Sequence, residues 1–231
     1  MKRIAVLTLI IFIVSYPLST IHSSTDEEAD PINGKICGVF ITMPDTLLPL
    51  LTERNRHDMI DFYGNHMEAK VRNRMNDYAR LDTLTDDYLH LTLSKVGEAE
   101  MKLLQTEDSM TIVCLIRTVV APARDSQVEF YDTQWTRLHW LQFPVPVTDA
   151  FFSAPSSEAS VEGGVTAIAD SLSFVQRSID DLRLVEVTAS PDAPIFTLHL
   201  TTDQLDKDEK RLARRFVRPL RYRWTGTDFE R

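Results

Sequence analysis

The sequence predicts an α+β protein in which an antiparallel β-sheet meander is accompanied by peripheral helices. Leu89, Leu91 and Leu93 alternate with polar residues within Tyr88–Ser94, which is the period-two pattern of a half-buried strand. The run Met110–Val120 is apolar on both faces apart from three positions, which is typical of an interior strand covered on both sides. Short polar connections join these segments, and short connections favour antiparallel pairing.

The domain is expected to begin with a strand and to continue with helices. Ile36–Met43 is mostly apolar and is predicted as a first short strand. A helical stretch is predicted to follow, with Asp45 as its N-cap. A second short helix is predicted over Arg56–Tyr63, with Asn55 as its cap and an end at Gly64.

Two more strands are expected to extend the meander around the segments described first. After a turn at Gly97, the segment Glu100–Gln105 is predicted to return beside the preceding strand. The chain turns again at Pro122–Ser126, and Val128 and Phe130 alternate in a further strand. These segments together predict a sheet of sequential antiparallel strands.

The second half of the chain begins with a break in regular structure. Phe143–Ser157 contains three prolines and is the candidate domain boundary or long connection. The stretch Ala159–Ser178 is ambiguous between helix and strand. Leu182–Thr188 and Ile195–Thr201 are predicted as paired strands joined by a proline-containing turn.

A capped helix and a closing strand are predicted near the C-terminus. The helix is expected over Asp203–Val217, with Thr202 as its cap. Acidic residues in its first turn and arginines in its last turn complement the helix dipole. Leu220–Trp224 alternates apolar residues with arginines and is predicted as the last strand.

The first residues have the pattern of a secretory signal peptide. Lys2 and Arg3 precede the mostly apolar run Ile4–Val14, and small residues follow. The run is shorter than the roughly 20 apolar residues of a membrane-spanning helix. We therefore predict a signal peptide at 1–24, a flexible tether at 25–35 and a single α+β domain at 36–231, with a candidate subdivision near 143–157. The protein is expected to be exported, periplasmic or secreted, without a transmembrane anchor after cleavage.

The net charge narrows the classes of partner. The whole chain has a formal charge of −9, and loss of the signal peptide removes two cations, so nucleic acid is not an expected partner.

The chain has two cysteines, Cys37 and Cys114. In an oxidising compartment they could form a disulfide, and the alternative is two buried thiols. Burial is favoured for Cys114 because it lies within an apolar run.

Several stretches resemble an uncharacterised family of exported proteins from Bacteroides-like bacteria, a domain of unknown function. The stretches that carry the resemblance are Met43–Thr52, Asn55–Phe62, Leu84–Leu89, Ala121–Ser126, Phe130–Trp135 and Tyr222–Trp224. The likeness extends over nearly all of the predicted mature chain, roughly residues 40 to 230. It implies neither an activity nor a catalytic residue.

An aromatic cluster is the first candidate binding site. Tyr131, Trp135 and Trp140 lie close together in the sequence, with His139 between the last two. Exposed rings of this kind could stack on sugars or on a peptide. The alternative is core packing, since large aromatic side chains are usually buried.

A basic stretch near the C-terminus is the second candidate. It contains Arg211, Arg214, Arg215 and Arg218, followed by arginines at alternate positions of the last predicted strand. Such a run could bind phosphates, anionic lipid headgroups or an acidic protein. The alternative is a solvated surface balanced by acidic residues elsewhere.

The sequence contains no assembled catalytic, metal or cofactor motif. Gly163 and Gly164 are followed by Val165 and Thr166, so no nucleophile elbow is formed there. We predict no catalytic residue, no metal and no cofactor from the sequence. The expected function is therefore a non-catalytic binding or interaction module of the bacterial envelope, whose partner is an envelope protein or an anionic or glycan ligand. The alternative is an envelope hydrolase whose site is assembled only by the fold.

Overall fold

The structure, a computed structural model, describes residues 35–153, 172–179 and 183–231. Within these residues, two antiparallel β-sheets are accompanied by four helices, which confirms the predicted α+β class. The predicted signal peptide, nearly all of the predicted tether and most of the ambiguous stretch 159–178 lie outside the described residues.

The first sheet has six strands in chain order, so it is the predicted meander. Its strands are β1 (Lys70–Arg72), β2 (Tyr78–Leu84), β3 (Tyr88–Ser94), β4 (Gly97–Gln105), β5 (Thr111–Val119) and β6 (Asp125–Tyr131). It begins two strands earlier than the sequence predicted. The second sheet has four strands, also paired in chain order. Its strands are β7 (Val185–Ala189), β8 (Ile195–Leu200), β9 (Leu220–Trp224) and β10 (Phe229–Glu230).

Two hydrophobic cores lie on opposite faces of the first sheet. Along β5, Val113 and Leu115 belong to the core shared with the N-terminal helices. Ile112, Cys114 and Ile116 belong to the core shared with the second sheet. The prediction of an interior strand covered on both sides is therefore confirmed, because successive residues of a strand point to opposite faces.

The prediction of a strand at Ile36–Met43 is wrong. Helix α1 covers Lys35–Ile41 and buries Ile36, Cys37 and Phe40 against the first core. These positions lie on one face of a helix, and their burial outweighs the strand preference of the isoleucines and valine in the segment.

The predicted helical stretch at Asp45 is replaced by turns. Pro49 follows within the same segment and has no N–H to donate, which disfavours a continuous helix there. Helix α2 covers Glu53–Gly64 and begins earlier than predicted, with Thr52 as its N-cap and Asn55 in a reciprocal capping box.

Two helices belong to the second half of the described chain. Helix α3 covers 172–179 and buries Val175 and Ile179 in the second core. Helix α4 covers Lys207–Phe216 and is capped by Asp206, so the prediction of Thr202 as the cap is wrong. The Asp206 carboxylate accepts from two backbone N–H groups and Glu209 completes a capping box, which fixes the start of the helix. None of the helices in the described ranges is long and apolar enough to cross a membrane.

Side chains of the first sheet accept hydrogen bonds from the backbone N–H groups of β7, which is an edge strand of the second sheet. The N–H groups of Val185, Val187 and Ala189 donate to the side chains of Asp125, Ser126 and Glu100 at 3.1, 2.9 and 2.8 Å, respectively. These bonds fasten the second sheet to the first and occupy an edge that would otherwise be open to another strand.

The two described cysteines are not joined by a disulfide. Cys37 lies in the core beneath the N-terminal helices, whereas Cys114 lies in the core between the sheets. The first sheet therefore separates them, and the alternative of two buried cysteines is the one that the structure supports.

Candidate functional site

The C-terminal arginines are presented by two elements that bury their other faces. Helix α4 buries Ala213, which belongs to the second core, and Phe216, and it leaves Arg214 exposed. Strand β9 buries Leu220, Tyr222 and Trp224, so the arginines between them point to solvent. We use the name basic face for four exposed arginines within ten residues of the chain, Arg214 and Arg218 at the end of α4 and Arg221 and Arg223 on β9.

Arg218 also has a structural role at the end of α4. Its guanidinium donates to the carbonyls of Arg214, Arg215 and Val217 at 3.1, 3.0 and 2.9 Å. A helix C-terminus leaves carbonyl groups without partners, and a cation there complements the helix dipole. Arg218 therefore stabilises the helix end from which Arg214 projects.

The other arginines of the basic face are not neutralised by described residues. Arg211, one turn before Arg214, has an ion pair with Asp208 at 3.5 Å. Among the described residues, no carboxylate oxygen lies within 4 Å of the guanidinium groups of Arg214, Arg221 and Arg223. The basic face is thus an exposed group of cations on a chain whose net charge is negative.

Arg211 and Arg215 line a groove beside α4 together with acidic residues. The groove has a volume of about 410 Å³ and is lined by Phe174, Asp206, Asp208, Glu209, Arg211, Leu212 and Arg215. Carboxylates and guanidinium groups both line this groove, so its charges partly cancel. The groove is therefore a weaker candidate for binding an anion than the basic face.

The aromatic candidates do not form one exposed platform. Tyr131 and Trp135 have ring centroids 5.5 Å apart and pack on the first core, where the Trp135 indole donates to the Val39 carbonyl at 3.2 Å. Trp140 is 64% exposed and belongs to neither core. Burial and the neighbouring Glu129 carboxylate raise the pKa of the Tyr131 hydroxyl. The structure therefore brings Tyr131 and Trp135 together and leaves Trp140 separate.

A polar cluster on β2, β3 and β4 was not predicted from the sequence. His90 lies between two carboxylates, with Nδ1 3.2 Å from Asp82 and Nε2 3.9 Å from Glu98. Arg124 in turn bonds both Glu98 and Glu186, so it links the first sheet to β7. The alternation of polar residues with leucines along β3 was the available signal, but the strand register that assembles the cluster is not visible in the sequence.

Glu100 is the buried acid beside this cluster. It is 6% exposed, and its carboxylate accepts from the Tyr88 hydroxyl at 3.1 Å and from the Ala189 N–H at 2.8 Å. Burial raises the pKa of the Glu100 carboxyl, although the Ala189 N–H opposes the shift. Burial also raises the pKa of Tyr88, and the adjacent Glu100 adds to that effect. A raised carboxyl pKa is a property of general acids and also of structural buried acids.

The described residues contain no assembled metal site. Within the described ranges, no three His, Cys, Asp or Glu side chains are placed to hold a metal ion. The polar cluster contains His90, Arg124 and the carboxylates of Asp82, Glu98 and Glu186, which contact one another.

The family is settled by a match to nearly the whole chain. A family described as a protein of unknown function, DUF3256, matches residues 32–229. The chain belongs to the DUF3256 family. This confirms the resemblance to a family of unknown function, whereas export and a Bacteroides-like origin stay predictions.

A solved structure shares the fold of this DUF3256 chain. It is described as the structure of a domain of an uncharacterized protein from Porphyromonas gingivalis W83. The two are 25% identical, with a TM-score of 0.67, and the match covers 86% of this chain and 98% of that one. No curated protein matches the chain.

Proposed function

We propose that this DUF3256 protein is an exported, non-catalytic interaction protein whose basic face binds an acidic protein partner of the cell envelope. The observation that carries the proposal is the group of exposed arginines on α4 and β9, of which Arg214, Arg221 and Arg223 have no carboxylate within 4 Å among the described residues. Exposed cations that no internal acid neutralises are available to an anionic partner, and they raise its rate of association.

The shape of the basic face favours a protein surface over a small anion. Arg221 and Arg223 are two residues apart on one face of β9, so their Cα atoms are separated by about 7 Å. Strand β8 lies beside them, with Thr197 opposite Arg221 and Ile195 opposite Arg223. A broad sheet face with separated cations suits several carboxylates of a partner, whereas a single small anion needs converging donors.

The proposal is tested with a defined acidic probe. A fluorescent polyglutamate peptide is titrated with the protein at several salt concentrations, using Arg214→Gln/Arg221→Gln/Arg223→Gln as the variant. Arg218 is left intact because it caps α4. At low salt we expect the variant to bind about tenfold more weakly, since each exposed ion pair contributes about 0.2–1 kcal/mol.

A matched control removes the same number of exposed cations elsewhere. Arg54→Gln/Lys95→Gln/Arg177→Gln changes the net charge equally but leaves the basic face intact. It should keep most of the affinity of the parent protein. Equal losses in the two triple variants would refute a specific basic face and leave only a net-charge effect.

The export part of the proposal rests on the predicted signal peptide. Fractionation of the producing cells, followed by mass determination of the N-terminus, should find a chain that begins between residues 19 and 25 outside the cytoplasm. An intact Met1 on cytoplasmic protein would contradict export.

An envelope hydrolase is the second candidate, and the polar cluster beside Glu100 is the observation that favours it. A buried acid with a raised pKa near His90, Asp82 and Glu98 is an arrangement found in active sites. However, Glu100 is 6% exposed, and its close contacts are with Tyr88 and Ala189, so substrate access is poor. Hydrolysis of cell-wall or peptide substrates that is abolished by Glu100→Gln in folded protein would replace the binding proposal.

A further inference from the structure

A second exposed surface lies on the hairpin formed by β1 and β2. We call it the hairpin surface and define it by Lys70, Arg72, Met75, Tyr78 and Arg80. Met75 is 74% exposed and Tyr78 is 48% exposed. The three cations are exposed as well. This hairpin therefore combines large exposed apolar groups with positive charge.

The strand register places like charges directly opposite each other. Lys70 of β1 is paired with Arg80 of β2, and Arg72 is paired with Tyr78. Like charges at directly opposite positions destabilise a sheet, so the pairing of Lys70 and Arg80 does not serve the fold. Val71 and Ala79 point to the first core. Lys70, Arg72, Tyr78 and Arg80 alternate with them and therefore point to the opposite face of the sheet.

Tyr78 holds two of the cations at the surface. The Lys70 ammonium lies 4.5 Å from the centroid of the Tyr78 ring, and the Arg72 guanidinium lies 5.6 Å from it. Cation–π contacts of this kind orient the charges without neutralising them. Tyrosine is also a residue that favours the interface between water and lipid.

Nearby carboxylates neutralise the hairpin surface only in part. Glu68 approaches Lys70 at 3.8 Å, and Asp82 bonds Arg80. Among the described residues, no carboxylate lies within 4 Å of Arg72. Positive charge thus remains available on this face of the sheet.

The turn at the tip of the hairpin holds Met75 in the solvent. The buried Asn73 side chain donates to the Leu93 carbonyl at 2.9 Å and accepts from the backbone N–H groups of Met75 and Asp77 at 2.9 and 3.1 Å. Asn76 next to Met75 has a φ of 62°, a left-handed conformation that asparagine adopts more readily than most residues. The exposure of Met75 is therefore set by a well-bonded turn.

We propose that the hairpin surface docks on an anionic lipid bilayer. Lys70, Arg72 and Arg80 contact lipid phosphates, while Met75 and the Tyr78 ring enter the headgroup region. The combination of cations with exposed apolar side chains favours this partner over an acidic polysaccharide, which would use the charges but not the Met75 side chain.

The test measures binding of the full chain, as purified from the producing cells, to vesicles. One set contains phosphatidylcholine alone and the other contains equimolar phosphatidylcholine and phosphatidylglycerol. We expect binding to the anionic vesicles that falls as salt is raised above the modest concentrations that screen repulsion from the distant acids of the chain. Lys70→Gln/Arg72→Gln should weaken this binding about tenfold or more, at roughly fivefold for each cation near the surface. Met75→Ser should weaken it separately.

Matched controls isolate the hairpin because all variants have the same N-terminus. Val96→Ser removes another exposed apolar side chain, and Arg177→Gln/Lys207→Gln removes two exposed cations that belong to neither the hairpin surface nor the basic face. Both should bind within about twofold of the parent protein. Far-UV circular dichroism verifies that each variant is folded.

Three outcomes would overturn the inference. The first is equal binding to both vesicle types, and the second is unchanged vesicle binding by the folded hairpin variants. The third has two parts: soluble polyuronate binds in a way that depends on Lys70 and Arg72, and vesicle binding is insensitive to Met75→Ser. The inference does not rest on the basic face, so the polyglutamate titration and the vesicle assay can fail independently.

Discussion

Replacement of Arg56 by methionine should destabilise the protein more than any loss of a surface arginine. The Arg56 guanidinium is buried between α1 and α2, where it donates to the carbonyls of Ile41 and Met43 and bonds the Asp45 carboxylate at 2.9 Å. It joins the end of α1 to the turns that follow.

The size of the expected destabilisation follows from the groups that lose a hydrogen-bond or ion-pair partner when Arg56 is replaced. Methionine retains much of the side-chain volume, so the main losses are the hydrogen bonds to two main-chain carbonyls and the ion pair with Asp45. Each unsatisfied buried group costs about 1–3 kcal/mol, but Asp45 is 36% exposed and keeps Arg74 as a partner. We expect Arg56→Met to lower the free energy of unfolding by about 3–5 kcal/mol.

Urea denaturation followed by far-UV circular dichroism and by tryptophan fluorescence gives the measurement. Trp135 contacts α1 through its bond to Val39, so its fluorescence reports on the region around Arg56. The control is Arg74→Met, which removes the other cation on Asp45 from an exposed site and should cost at most about 1 kcal/mol. Similar losses of about 1 kcal/mol or less in both variants would refute the structural role of Arg56.

The remaining predictions concern Glu100 and the two cysteines. Burial raises the pKa of Glu100 in the folded chain, so the free energy of unfolding should fall as pH rises from the unfolded pKa through the folded pKa. The Glu100→Gln side chain cannot ionise, so urea denaturation across this pH range should show a smaller fall in the free energy of unfolding for the variant. Parallel plots of the free energy of unfolding against pH for the two proteins would contradict a raised pKa of Glu100. For Cys37 and Cys114, mass spectrometry of the unreduced, denatured chain should find two alkylated sulfurs, because the first sheet separates them. An unalkylated mass after denaturation would instead indicate a disulfide. Burial raises the pKa of the Cys114 thiol well above its usual range, so this thiol should react slowly with the alkylating reagent in the native protein.

The strands of the meander could be predicted because their apolar residues alternate without interruption. Strand β3 is an example, since Leu89, Leu91 and Leu93 are all buried. Strand β2 escaped prediction because its register shifts between Leu81 and Thr83, which interrupts the alternation. Strand β1 has three residues, of which only Val71 is buried, so it has too little pattern to detect.

The sites differ in how far the sequence determines them. The arginines of the basic face are neighbours in the sequence, and the alternation of β9 already predicted that Arg221 and Arg223 share a face. The hairpin surface and the polar cluster depend instead on which residues of neighbouring strands are opposite each other. The pairing of Lys70 with Arg80 is an example, because the turn at Asn73–Asn76 fixes this register.

An acidic chain with two cationic surfaces should respond to salt in a specific way. The net charge of −9 repels an anionic membrane or protein at long range, whereas the basic face and the hairpin surface attract it at short range. At physiological salt the Debye length is about 8 Å, so charges beyond the contact region have little effect on the bound state. Modest salt should therefore screen the repulsion from distant acids while contacts at Arg72 or Arg221 persist. Affinity for anionic partners should then pass through a maximum as salt increases from very low values, whereas a uniformly cationic protein would show only a decline.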